Sequence, residues 1–120
     1  MYEAKADLIK NRLYIKLSGF MEKEAISKAA DAVIREAKKL KPNFNVINDI
    51  SEFKPTTHEA ANEIRRAQEY LKNHNVGRVI RVIARAAIVG AMQLERTGKE
   101  AGYDANTVAS IAEAEKLLGD

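Results

Sequence analysis

Hydrophobic and polar residues change their spacing several times along this chain, and each change predicts an element. In "RLYIKLSG", Leu13, Ile15 and Leu17 alternate with Tyr14, Lys16 and Ser18. Period two with one apolar side predicts a half-buried strand. "YEAKADLI" shows the same alternation more weakly, with Tyr2, Ala4, Ala6 and Leu8 on one side. Lys10-Asn11-Arg12 between them has turn chemistry, because Asn tolerates the left-handed backbone. The two segments predict an antiparallel hairpin.

The period lengthens in "MEKEAISKAADAVIREAKKL". Ile26, Ala30, Val33, Ala37 and Leu40 fall on one helical stripe. Glu22 and Glu24 stand at its start and Lys38, Lys39 and Lys41 at its end, as the helix dipole favours. Pro42 ends it. "NFNVINDI" predicts a short apolar strand that closes near Asp49, with a loop after it. Beyond Pro55 a second helix is predicted to about Asn73, with Ala60, Ile64, Ala67 and Leu71 inward and Asn75 and Gly77 as breakers. "RVIRVIA" is almost continuously apolar, as a strand covered on both faces is. "AAIVGAMQLERTGKEAG" predicts a third helix and "NTVAS" a short strand. "SIAEAEKLLG" predicts a last helix, opened by a Ser110-x-x-Glu113 capping box and closed at Gly119. The order ββαβαβαβα predicts an α/β fold: a single mixed sheet of about five strands, begun by the hairpin, with helices packed on it.

Length and composition narrow the picture by exclusion. The 120 residues suit one domain running from 1 to 120. There is no cysteine, so disulfides and thiol chemistry are excluded. His58 and His74 lack metal-ligand spacing. No apolar run approaches the length of a membrane span, and the N-terminus lacks a signal-peptide pattern. The expectation is a soluble cytoplasmic protein with no integral membrane association. Twenty basic and 17 acidic residues give a net charge of +3. Charge so evenly mixed gives no clustered basic stripe of the kind nucleic acid requires.

Four stretches carry a family resemblance: "SGFMEKEA", "VINDISEFKP", "GRVIRVIA" and "QLERTGKEAGYDANTVASIAEAEKLL". With this element order the chain resembles the STAS fold of bacterial anti-sigma factor antagonists. It is most similar to small SpoIIAA-like proteins described as related to SEC14 lipid-binding domains. The resemblance spans nearly the whole chain. It implies a non-enzymatic regulatory module that binds a protein partner. Better-known members carry a D-S-S-G-type motif where the third strand enters the second helix, with a serine that is phosphorylated. Matching Asp49-Ile50-Ser51 without gaps to that family's strand end puts Thr57, His58 and Glu59 at the D-S-S positions. No serine stands there and no glycine follows, so the resemblance implies a module without the phosphoserine switch.

The candidate contact surface is therefore Asp49, Ser51, Glu52, Thr56, Thr57 and His58. Thr56-x-x-Glu59 has the pattern of a capping box, and a cap is the ordinary reading of the tandem threonines. Thr57 is the position open to phosphorylation, since a helix N-terminus stabilises an anion. Asp49 is placed at the carboxyl end of its strand, where open α/β sheets host ligands, or where it bonds loop amides. His58 has no nucleophile or orienting group in view and reads as a surface residue; His74 reads as a helix-end residue. Arg81 interrupts an apolar strand. Either it is paired, with Asp49 as a candidate, or its face opens to water and offers a basic spot.

The third helix is apolar on several sides, and Ile88, Val89 and Met92 lie beyond its inner stripe, an arrangement that suits a homodimer surface. The second functional reading is a small lipid or apolar-ligand domain, its pocket between sheet and helices near Phe20, Phe53 and Met92. An enzyme has no support in a nucleophile–base pair, a metal set or a phosphate loop, and no cofactor is implied.

Overall fold

The computed structural model describes residues 1–54, 57–83 and 105–119. The hairpin comes first: β1 (Tyr2–Asp7) pairs antiparallel with β2 (Arg12–Gly19). Asn11 closes the turn with φ 53°, the left-handed backbone that Asn supplies. Next come α1 (Lys23–Ala37), β3 (Asn45–Phe53), α2 (His58–Asn73), β4 (Val79–Val82), β5 (Asn106–Val108) and α3 (Ile111–Leu117). The five strands lie in sequence order, and every pair after the hairpin is parallel. The chain is thus the mixed α/β sheet that the spacing predicts. The predicted helix at 86–102, with Ile88, Val89 and Met92, lies outside the described residues.

Register sorts the side chains onto two faces. Leu13, Ile15 and Leu17 of β2 share a face with Val46 and Ile50 of β3 and Val79 of β4, and pack with Ile26, Ala29, Val33, Ile64 and Leu71 of α1 and α2. The opposite face carries Ile47, Ile80 and Val82, packed with Ala114 of α3 and flanked by Tyr14 and Val108. Among the described residues, α1 and α2 therefore cover one side of the sheet, and the short C-terminal helix covers part of the other. That double coverage explains why all four residues of β4 are buried.

The predicted helical stripe of α1 is buried throughout, including Leu40 in the turn that follows. Glu22 serves as the extended N-cap rather than a first-turn residue. Arg66 ties the helices together, 3.0 Å from Asp31 and 3.3 Å from the Ser27 carbonyl. After α2 the chain reverses at Asn75 (φ 61°). Gly77 then passes against the β3 approach, donating to the Phe44 carbonyl at 2.7 Å. A Cβ there would stand 2.8 Å from the Asn43 carbonyl oxygen, so only glycine fits.

Candidate functional site

β3 does not stop at Asp49. It runs on through Ile50, Ser51 and Glu52 to Phe53, so the stretch expected to be a loop is strand. Its regular alternation is broken once. Lys16 pairs with Asp49 and Ser18 with Glu52, so Ile50 and Ser51 together span the position of one β2 residue, Leu17. This is a β-bulge, a device that re-aims side chains and is common beside functional sites. Ile50 and Phe53 are both buried in the same core cluster although three residues apart.

Asp49 pins the bulge. Its Oδ1 accepts from the Ser51 backbone N–H at 3.0 Å and from the Ser51 hydroxyl at 2.6 Å. One carboxylate oxygen thus satisfies two donors of the residue two positions on, a local pattern open to short acidic side chains. Asp49 therefore sits within the strand, not at its carboxyl end. Nor does it face Arg81: the register sets Asn48 opposite Arg81 and Asp49 opposite Val82, and neighbouring strand residues point to opposite faces. Arg81 is 2% exposed, so it forms no basic spot on open sheet.

Glu52 is exposed, and its carboxylate lies 3.6 Å from the Lys16 amine. Both groups are well solvated, so the pair contributes about 0–1 kcal/mol. Lys54 N–H bonds the carbonyl of Gly19 at 3.1 Å and holds the strand end to β2. α2 then begins. Its N-cap is Thr57, whose hydroxyl oxygen accepts from the Ala60 N–H at 3.2 Å. The predicted Thr56–Glu59 box gives way for a geometric reason: Thr57 has extended backbone, φ −75° and ψ 162°, and cannot also be the first helical residue after a Thr56 cap. Thr56 itself lies outside the described residues. Thr57, His58 and Glu59 are exposed on the first turn.

Asp49, Ser51 and Glu52 share the end of β3, where Lys16, which the sequence alone did not single out, pairs with Asp49 and lies 3.6 Å from Glu52; Thr57 and His58 stand on the first turn of α2. The available signal was the apolar spacing of three between Ile50 and Phe53, which an unbroken strand would set on opposite faces. His74 caps the far end of α2, its ring stacked on Tyr70 at 5.3 Å. Among the described residues no group of three His, Asp or Glu side chains could hold a metal ion, and no helix is long and apolar enough to cross a membrane.

A cavity of about 50 Å³ lies between the sheet and the paired helices, lined by Ile15, Ala30, Val33, Asn48, Ile64 and Gln68 among others. It differs from the expected pocket. Phe53 is 1% exposed within the core, whereas Phe20 points to solvent with 58% exposure. Met92 lies outside the described residues.

No family model matches the sequence, and no curated protein matches it. Among solved structures, the anti-sigma factor antagonist SpoIIAA in its unphosphorylated form is similar over 100% of both chains, with a TM-score of 0.65 at 10% sequence identity. The fold is therefore the STAS-like fold of SpoIIAA.

Proposed function

We propose that this chain is a non-enzymatic regulatory module that binds a protein partner through the bulge and the start of α2. The observation that carries the reading is the bulge itself. It adds one residue to β3 at Ile50–Ser51, directly before the exposed Glu52, and the exposed first turn of α2 (Thr57–Glu59) follows a few residues on along the chain. A contact surface built on a strand end and a helix start is rigid and correctly placed for recognition. The likeness to an anti-sigma factor antagonist supports the same class of role.

The surface acts without a phosphoserine switch. Thr57, His58 and Glu59 occupy the first turn, and the Thr57 hydroxyl oxygen already caps the helix. Among the described residues, Thr57 is where an added phosphate would meet the N-terminus of α2. Intact-mass measurement after incubation with cell-extract kinases tests this; a stoichiometric phosphate on Thr57 would reverse the reading.

The lipid or apolar-ligand alternative has less support. Pockets for drug-sized ligands are about 300–1,000 Å³, against about 50 Å³ between sheet and helices here. Native mass spectrometry of the purified protein separates the readings, since a retained lipid mass would favour the alternative. The interaction reading is tested by quantitative affinity capture, comparing the wild type with a Glu52→Ala/Thr57→Ser/His58→Ala variant. A partner enriched by the wild type and lost from the variant supports the surface. Identical capture by both overturns it.

A further inference from the structure

Among the described residues, β1 forms one edge of the sheet. It is the first strand in the sheet order, so among the described residues only its β2 side is paired. Met1 and Ser18 exchange two backbone hydrogen bonds, each 3.0 Å. By antiparallel alternation Glu3, Lys5 and Asp7 also bond inward to β2, while Tyr2, Ala4 and Ala6 turn their N–H and C=O groups outward. An outward row of this kind is a template for another strand.

One of those outward groups is already occupied. The Ala6 N–H donates to Glu36 Oε1 of α1 at 3.1 Å, and Lys39 holds the other carboxylate oxygen at 2.6 Å. The Glu36 side chain is 14% exposed, far more enclosed than the 53% of Lys39. A helix carboxylate thus sits over the strand edge where an incoming carbonyl would dock.

The geometry points to a second copy of this chain as the strand that the edge accepts once Glu36 is withdrawn. With Ala4 on the two-fold axis, Ala4 bonds Ala4 of the second copy, and Tyr2 bonds Ala6. Glu3 then lies opposite Lys5 and Lys5 opposite Glu3, two cross-strand ion pairs from one "EAK" triplet. Shifting the register by two residues in either direction loses this reciprocity: it sets Glu3 on Glu3, or Lys5 on Lys5. The surface is independent of the bulge and of the proposed partner site.

The test is the mass of the folded protein in solution, by light scattering across a wide concentration range. Glu36→Ala is expected to double the 13.3 kDa monomer mass, with Glu36→Asp, one methylene too short to reach Ala6, as a second opening variant. Glu36→Gln keeps an acceptor oxygen and is expected to remain monomeric. Adding Ala4→Pro to an opening variant removes only an outward N–H and should restore the monomer. Glu3→Lys should weaken the dimer, and Glu3→Lys with Lys5→Glu should recover it. A folded opening variant that stays monomeric overturns the proposal, as does a dimer that Ala4→Pro leaves intact.

Discussion

The Tyr14 hydroxyl donates to the Glu115 carboxylate at 2.7 Å, joining the second strand to the last helix across 101 residues of chain. The same carboxylate receives Arg12 at 3.1 Å and Lys10 at 3.4 Å. Arg12 is buried, with 4% of its side chain exposed. At the helix end Arg78 bonds the Leu117 carbonyl at 2.8 Å. A helix of seven residues is too short to hold itself together in water, so these contacts and the packing of Ala114 keep it on the sheet. Glu115→Ala leaves three donors without that acceptor and is expected to cost about 1–3 kcal/mol. Tyr14→Phe removes one bond and should cost about 0.5–1.5 kcal/mol. Urea denaturation measures both.

The same contact sets an alkaline limit. Burial pushes the Tyr14 phenol above its ordinary value, and the bond to Glu115 adds to the shift while Arg12 opposes it. The folded state therefore keeps a proton that the unfolded chain releases from near pH 10 upward. Its stabilisation is complete below that pH and is lost as pH rises through the folded value. Thermal melts in alkaline buffers should show a falling melting temperature, and Tyr14→Phe should flatten that limb.

Glu36 sets an acid limit of opposite sign. The Lys39 hydrogen bond, then the Ala6 N–H, hold its carboxyl below the ordinary range. Its contribution is present above the unfolded value and lost as pH falls through the lower folded one. Glu36→Gln is expected to make stability less steep in acid, measured by denaturant midpoints through the carboxylate range.

Thr57→Ala removes the cap of α2 and should cost about 1 kcal/mol, whereas Thr57→Ser should cost almost nothing. Because the cap is Thr57, a Thr56→Ala change is expected to be close to neutral. Melting temperatures of the three variants decide which threonine starts the helix.

Gly77→Ala forces a methyl against the Asn43 carbonyl oxygen and the Asn45 side-chain oxygen, both 2.8 Å away. Neither the Gly77 bond to Phe44 nor the Arg78 bond to Asn45 can relax freely. A loss of about 1–3 kcal/mol is expected, as for other overpacked sites, read from the denaturant midpoint.

Much of this architecture is legible in the sequence because its signals are local. Alternation at Leu13, Ile15 and Leu17, the stripe from Ile26 to Ala37, the turn at Asn11 and the Ser110 cap each depend on a few neighbouring residues. The Ser110 hydroxyl accepts from Glu113 N–H at 3.1 Å, as the box predicts, although the Glu113 carboxylate reaches one residue further back, to Ala109. The end of β3 was hidden for the opposite reason. Asp49, Ser51 and Glu52 look like loop polarity, and the extra residue destroys the period by which a strand is recognised. The choice between Thr56 and Thr57 was equally hidden, because both present the same chemistry and only backbone angles separate them. The bond of Glu36 to Ala6 and that of Glu115 to Tyr14 join residues 30 and 101 positions apart, and no spacing rule reaches that far.

The bulge also makes β3 two separately phased strands. Asp49 and Glu52 point to one face while Ile50 and Phe53 point to the other, and Ser51 is the spare position between them. Deleting one residue within a regular strand would turn every later side chain to the wrong face. Deleting Ser51 would do the reverse: Asp49, Ile50, Glu52 and Phe53 would fall into uninterrupted alternation. The core could thus be kept by a shorter chain, and the extra residue adds nothing to the alternation that buries Ile50 and Phe53.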